Sequence, residues 1–366
     1  MRFITISDAH LQLSDPLGRI VNGYNTRLLE KLSVLNKAIN FGVSESVDFI
    51  TFNGDTFNMP NPNPKLKSLF IKLISKAIKN NIRIYIIPGN HDLFDNQLFS
   101  FSSEYELLSL TKCNLFNVIT ENKSIEIHDH MVSFIPFNRD VNSIQSYLQK
   151  CKNHIVFGHF PIINAYNDNK TLSDSGVSVH YFEGIKSVYL GHFHRSQEGE
   201  NWRYTSSPYH TDFKSLDAHK GFVYSNLEGS KITDRFINLL DYDKKFGYIK
   251  VTNDNLSTIL STKEFYYDIV KIKFTGDRSW FKSIDRLSIK NHLHSNGVSI
   301  VKLDYEYTDS VENIEISNKT NMNMNILTMI KNSCEQKNKM RYLDIGIDIV
   351  NTVINNCDIV IEQDKI

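Results

Sequence analysis

Five short motifs gather the residue types that hold metal ions: Asp8-Ala9-His10, Gly54-Asp55, Gly89-Asn90-His91-Asp92, Gly158-His159 and Gly191-His192-Phe193-His194. Aspartate, asparagine and histidine together offer oxygen and imidazole donors, a mixture suited to manganese, iron or zinc better than to calcium or magnesium alone. Asp8 and Asp55 bring two negative charges, while His10, Asn90, His159, His192 and His194 bring none. Two divalent cations would leave such a cluster net positive. That attracts an anionic phosphate ester and stabilises the added charge of an in-line transition state. Seven donors exceed what a mononuclear site needs, since zinc sites close at about four. The excess points to two ions sharing Asp55, about 3.5–4 Å apart. His91 adjoins Asn90, and an imidazole beside a metal ligand can protonate a departing alkoxide.

Residues so far apart in sequence need a scaffold that brings them together. From residue 1 to about 240 the chain alternates short apolar runs with amphipathic stretches. Strands are expected at 2–7, 48–52, 83–87, 131–136, 155–157 and 187–190, and helices at 26–41 and 66–80. Several of the strands are apolar on both faces, which suits sheets covered on both sides and an α/β fold. Each motif follows one of these strands, and the carboxyl ends of such strands are where α/β proteins bind ligands. The glycines allow sharp turns and an open approach to the metals. A lone Gly-Asp or Gly-His is commonplace; the weight lies in all five motifs, each at a strand end.

After Asp241-Tyr242-Asp243-Lys244-Lys245 the composition shifts. A second unit reads as strand 267–275, helix 279–294 and strand 298–307, a small βαβ-like module. Residues 309–325 are rich in Asn, Ser and Thr and read as a linker. Helices are expected at 326–337 and 341–356. In the second of these, Leu343, Ile347, Val350 and Ile354 form one apolar stripe, which Gly346 weakens.

Of the 366 residues, 41% are hydrophobic and 22% charged, which excludes a disordered or collagenous chain. Lysine plus arginine and aspartate plus glutamate both number 41, so nucleic-acid affinity must come from local patches or bound metal. Cys113, Cys151, Cys334 and Cys357 are scattered with no CxxC pair, which suits reduced thiols and a cytoplasmic location. The apolar run before Asp8 is too short for a signal-peptide core, and no membrane span is expected.

The five motifs in this order resemble the calcineurin-like metallophosphoesterase superfamily, over residues 1 to about 240. Within it the chain is similar to the DNA-repair nucleases: bacterial SbcD, the meiotic-recombination-eleven nuclease and the recombination endonuclease subunit of T-even-type phages. The third motif ends in Asp92, as in these nucleases, where phosphoprotein phosphatases carry Glu. Gly54-Asp55-Thr56-Phe57 matches the nucleases' GD-x-F. Ser206-Ser207-Pro208-Tyr209 and Lys220-Gly221-Phe222 match their GSPY and KGF stretch, with Ser206 standing where glycine is usual.

The resemblance implies a four-layer α/β/β/α sandwich (1–243), a small βαβ capping domain that helps grip DNA (244–310), and a linker with C-terminal helices (311–366) that dock on an SMC-like ATPase of the SbcC type. It implies a homodimer acting on DNA, in the cytoplasm, or the host's cytoplasm for a viral protein. Asp8, His10, Asp55 and His194 would hold one metal ion, and Asp55, Asn90, His159 and His192 the other. Manganese is the expected ion, with Mg²⁺, Fe²⁺ or Zn²⁺ as alternatives. His91 would contact the scissile phosphate and assist the leaving oxygen. Relatives often place a partner histidine for it where this chain has Asn58, which can hydrogen-bond but cannot relay a proton near neutrality. That departure bears on the balance between exonuclease and endonuclease activity.

Other candidates are weaker. Residues 56–91 hold no acidic residue but carry Lys65, Lys67, Lys72, Lys76, Lys79 and Arg83, which read either as a phosphate-tracking wall or as a solvated helix face. Lys65 and Lys67 lie nearest the motif edge. Arg195 and Tyr209 could touch a phosphate or a nucleotide ring, or simply pack. His128-Asp129-His130 reads as a hairpin turn rather than a metal pair, and His292 and His294 as helix-end residues. The function expected is a manganese-dependent DNA exo/endonuclease subunit. The alternatives weighed are a phosphatase or small-molecule phosphodiesterase on the same scaffold, and a DNA-end-binding scaffold with a vestigial metal site.

Overall fold

Strand β1 (Arg2–Ile6) shows how the fold is built. Phe3 points into one apolar layer, while Ile4 and Ile6 point into another. The same period-two division recurs in β4 (Phe49–Asn53) and β5 (Arg83–Ile87), where Phe49, Tyr85 and Ile87 face one way and Ile50, Phe52, Ile84 and Ile86 the other. A strand apolar on both faces must lie between two layers. In the computed structural model, which describes residues 1–93 and 114–308, those layers are a second sheet on one side and helices on the other.

The first sheet has the order β14-β13-β1-β4-β5-β6. Here β6 is Phe116–Val118, and the hairpin β13 (Gly221–Glu228) and β14 (Lys231–Asn238) lies antiparallel to β1. The second has the order β11-β12-β10-β9-β8-β7. It comprises β7 (Lys123–Ile127), β8 (His130–Ile135), β9 (Ile155–His159), β10 (Ser187–Gly191), β11 (Gln197–Glu198) and β12 (Trp202–Tyr204). Aromatic rings fill the space between the sheets: Phe3 stacks on Phe49 at 5.0 Å, Phe157 on Tyr189 at 5.3 Å, and Phe3 meets Phe157 edge-on. Emptying this layer by Phe157→Ala would cost about 3–5 kcal/mol.

Two helices cover the first sheet. Asn25 caps α1 (Thr26–Ser44) by accepting the Leu28 N–H, and Leu28, Leu35, Ala38 and Ile39 form its buried stripe. Asn63 caps α2 (Pro64–Lys79), which has proline at its first position and buries Leu66, Phe70, Leu73, Ile74 and Ala77. The helix Val141–Leu148 and the turn Val179–Phe182 cover the second sheet through Ile144, Leu148 and Phe182. The result is the α/β/β/α sandwich. A small hairpin, β2 (Ile20–Val21) with β3 (Tyr24–Asn25), precedes α1.

A third sheet, of order β15-β16-β17, follows: β15 (Phe246–Val251), β16 (Ile269–Gly276) and β17 (Ile300–Tyr307). Its helices pack Phe281, Ile289 and Leu293 against Ile272 and Phe274. The expected strands 267–275 and 298–307 are present, and β15, which the composition did not signal, pairs parallel with β16. The single helix expected at 279–294 is two, Arg278–Ser283 and Arg286–Ser295. Ile284, in extended backbone, closes the first, and Asp285 caps the second by accepting the Ser288 N–H; aspartate favours such a cap over a helix interior. Met1–Glu306 pack as one compact unit. The linker and helices expected beyond it lie outside the described residues, as do all the cysteines but the buried Cys151. Among the described residues no helix is long and apolar enough to cross a membrane.

Candidate metal centre

The parallel strands β1, β4 and β5 of the first sheet and β9 and β10 of the second end at one edge. Each releases a motif there. The loops are bonded to one another: the Asp8 N–H donates to the Gly54 carbonyl at 3.1 Å, and the His10 N–H to the Asp55 carbonyl at 2.8 Å. Asp8, His10, Asp55 and His192 all have left-handed φ, at 53°, 42°, 51° and 109°. Such backbone persists only where the surroundings enforce it, and it clusters at functional sites. Gly54 is forced, because a Cβ there would run into the His159 ring, and so is Gly89, whose Cβ would strike the Asp55 carboxylate.

The donor atoms converge around Asp55. Its Oδ2 lies 3.7 Å from His10 Nε2 and 3.6 Å from His159 Nε2. On the His10 side, His10 Nε2 is 3.0 Å from His194 Nε2, which is 3.8 Å from Asp8 Oδ1. On the His159 side, Asn90 Oδ1 is 3.0 Å from His159 Nε2 and 2.9 Å from His192 Nδ1. Two sets of donors therefore share one carboxylate: Asp8, His10 and His194 on one flank, Asn90, His159 and His192 on the other.

On three of the four histidines the ring nitrogen facing away from this space is anchored. His159 Nδ1 donates to the Asn53 carbonyl at 2.8 Å, His10 Nδ1 to Asn58 Oδ1 at 3.2 Å, and His194 Nδ1 to Asp168 Oδ2 at 3.0 Å. An acceptor on one nitrogen fixes the proton there and leaves the other lone pair free, the usual arrangement of a metal-ligating histidine.

Electrostatics agree with this geometry. Burial drives His159 and His10 well below the ordinary imidazole range, with the neighbouring rings adding to it, and drives His192 down to about 4. These rings are neutral at pH 7, as ligands must be. Burial, with Asp92 and Asp8 nearby, pushes Asp55 well above the carboxylate range, and burial raises Asp8. For His194, burial favours the neutral form, but the Asp168 hydrogen bond and the Asp8 charge prevail and raise it. Buried carboxylates with raised pKa, facing neutral lone pairs, are what cations would relieve. The donor set fits two divalent ions.

The profile of the calcineurin-like phosphoesterases matches residues 1–196. The chain belongs to this family. The SbcD subunit of the nuclease SbcCD from Staphylococcus saprophyticus is 24% identical over 356 residues, covering 86% of this chain and 89% of that protein. Among solved structures, a dimetal phosphatase from Danio rerio is 10% identical with a TM-score of 0.43, covering 66% of this chain and 96% of that one. The purple acid phosphatase PPD1 of yellow lupin is 12% identical with a TM-score of 0.42, covering 64% and 51%.

In this phosphoesterase, His91 stands exposed at the cleft with its ring edge-on to His10 at 4.7 Å. Its N–H donates to Asp55 Oδ1 at 2.9 Å, and its Nδ1 lies 3.2 Å from the Asn58 carbonyl oxygen. Asn58 therefore serves two rings: its main chain orients His91, and its side chain orients His10 while donating to Gln12. Asp92 holds the loops together, its Oδ2 accepting the N–H groups of Gly89 and Asp55.

The five expected substrate contacts are dispersed. Only Asn58 lines the cleft, which measures about 450 Å³. Tyr209 is fully buried and donates its hydroxyl to the Ala9 carbonyl at 2.5 Å, so it packs beneath the site and offers no ring to a nucleotide. Arg195 is bound through both terminal nitrogens to Asp217. Lys65 donates to the Gly23 carbonyl and stacks on Tyr24, and Lys67 follows in the first turn of α2. Gln12, Asn167, Asn169, Asp212 and Lys214 line the cleft instead. Asn167, Asn169, Asp212 and Lys214 lie in polar loops without a motif, and Gln12 falls just past the first motif between two leucines, so nothing in the sequence marked them.

Three further residues support the site. Lys220 sends its buried ammonium to the His194 carbonyl and to Ser207 and Ser215, which gives the Lys-Gly-Phe stretch a physical role. Ser206 has φ of 70°, which is why glycine suits that position, and its single hydroxyl proton has the His194 and His219 carbonyls within reach, at 2.8 and 2.9 Å. The third is Asp168. Elsewhere, His128 and Asp129 have φ of 49° and 61° and form the two-residue turn of the β7–β8 hairpin. His292 and His294 bond to the Thr262 and Val298 carbonyls.

Proposed function

We propose that this phosphoesterase is a manganese-dependent DNA nuclease, the catalytic subunit of a complex with an SMC-like ATPase of the SbcC type. The observation that carries the reading is the Asp55 carboxylate set between two groups of three donors, with His91 beside it. Two divalent ions held there, Mn²⁺ first among them, would supply positive charge against the phosphodiester and its transition state. Asp8, His10 and His194 would hold one ion with Asp55, and Asn90, His159 and His192 with Asp55 the other.

His91 is placed to serve the leaving group. With Nδ1 donating to the Asn58 carbonyl, Nε2 faces the cleft and in its protonated form can give a proton to the departing oxygen. A backbone carbonyl fixes the orientation of the ring but cannot titrate, so His91 acts without an ionisable partner at Asn58. DNA is favoured as substrate because the relative with 24% identity across 86% of this chain is a nuclease subunit, and because Asp92, Thr56-Phe57 and Lys220-Gly221-Phe222 follow the nuclease pattern. On this reading residues 244–310 help grip DNA, 311–366 bind the ATPase, and the chain works as a homodimer.

The test uses the full chain with Mn²⁺ on linear and hairpin DNA, with and without the ATPase. Cleavage should require Mn²⁺, and His91→Ala should lower it by about 10²–10⁴-fold while metal content stays unchanged. Turnover of nucleotides or phosphoproteins with indifference to DNA would replace this reading by a phosphatase or small-molecule phosphodiesterase.

A further inference from the structure

We propose that Asp168 is a positioning residue that strengthens one of the two metal sites selectively, the one built on Asp8, His10, Asp55 and His194. The inference rests on the two-metal reading above and concerns an inequality between the sites that the donor set alone does not reveal.

Asp168 lies in the loop between β9 and β10, outside every motif and 26 residues before His194. One carboxylate grips His194 twice: Oδ2 takes the ring Nδ1–H at 3.0 Å and Oδ1 takes the backbone N–H at 3.0 Å. The His194 carbonyl is held by Lys220 Nζ at 2.6 Å and Ser206 Oγ at 2.8 Å. Ring, N–H and C=O of this ligand are thus all restrained. The rotamer that sets Nε2 beside His10 and Asp8 is fixed before any ion arrives.

The chemistry of the anchor matters as much as its geometry. A carboxylate offers only lone pairs, so the His194 proton must sit on Nδ1 and the Nε2 pair must face the site. His159 and His10 have the same tautomer, but their anchors are neutral oxygens, the Asn53 carbonyl and Asn58 Oδ1. An anionic partner makes an imidazole a stronger donor than a neutral one does. Among the described residues, the carboxylate anchor falls on the His194 flank, so the ion there gains support that its neighbour lacks. Asn167 and Asn169, on either side of Asp168, line the cleft, so the loop that sets the ligand is also a wall of the substrate space.

The experiment is titration of the metal-free full chain with Mn²⁺ alone, followed by calorimetry and by electron paramagnetic resonance, for wild type, Asp168→Asn and Asp168→Ala. Wild type should bind two ions per chain and show a spin-coupled signal. Asp168→Ala should weaken one site by about 10–100-fold, leave the other within about twofold, and lose the coupled signal at concentrations that fill a single site. Asp168→Asn should fall between them, since its one oxygen can accept from the ring or the backbone N–H but its amide group cannot accept from the other. Urea unfolding of the metal-free variants controls for folding. Two ions in wild type with neither site weakened, or with both weakened equally, would overturn this inference alone. Fewer than two ions in wild type would overturn the two-metal reading and this inference with it.

Discussion

Replacing Asp243 with leucine strands a buried guanidinium. The Arg27 side chain is fully buried, its Nη1 2.6 Å from Asp243 Oδ1, while Nη2 donates to the His210 carbonyl at 2.7 Å. Asp243 Oδ2 accepts the backbone N–H of His210 at 2.8 Å and its ring at 3.2 Å. Asp243 thus ties α1 to the segment that carries Thr211, whose hydroxyl lies 3.3 Å from His194 Nδ1. Removing one member of a buried pair costs about 3–5 kcal/mol. Glu30, 3.3 Å from Arg27 and partly exposed, still offers a counter-charge, so the low end, about 3 kcal/mol, is expected. Burial opposes the Asp243 charge, but His210 and Arg27 outweigh it and bring the carboxyl from 3.8 down to about 2. That shift is worth about 2 kcal/mol at neutral pH. A carboxyl depressed in the folded state stabilises above its unfolded pKa, and that contribution fades as pH falls from 3.8 through about 2. Urea unfolding across this range should show wild type losing about 2 kcal/mol more than Asp243→Leu. The double variant Arg27→Met, Asp243→Leu should recover much of the loss, because apolar side chains of similar volume replace the pair, although the His210 N–H is left without its acceptor. Equal stability of the single and double variants, or an acid profile unchanged by Asp243→Leu, would refute the buried-pair account.

Asp55→Asn removes the shared charge and should lower both metal occupancies together, read as metal per chain by mass spectrometry; loss of one ion with retention of the other would contradict a bridging role. Ser206→Val places a β-branched residue at φ of 70° and removes the hydroxyl that bonds to a carbonyl, so it should destabilise by about 2–3 kcal/mol in urea. Ser206→Gly trades relief of strain for that hydrogen bond and should stay within about 1 kcal/mol of wild type. Chelation should lower the unfolding temperature, and Mn²⁺ at 100 times its Kd should restore about 2.7 kcal/mol per site; a melting curve indifferent to chelator would speak against ions bound to the folded state.

The motifs were legible because their chemistry is local. A strand of apolar residues followed by glycine and a ligand type shows in a handful of positions, and the strands at β1, β4, β5, β8, β9 and β10 fall where apolar patterning puts them. The β13–β14 hairpin and β15 were less visible, since β14 and β15 carry polar and charged residues along their exposed faces and β13 joins the sheet beside β1, from far along the chain. Tyr209 misled for a related reason: an aromatic residue beside a motif is as fit for a core as for a nucleotide, and only burial separates the two.

Residue types and their order determined the layered α/β architecture, the ligand types and the candidate proton donor, because each follows from patterns a few residues long. Only the folded chain decided which oxygen orients each ring. Asn58 serves His91 through its main chain and His10 through its side chain, and Asp168 reaches His194 from another loop. Hydrogen bonds of this kind depend on distances of about 3 Å between groups remote in sequence. Chain topology sets those distances, and no local spacing records them.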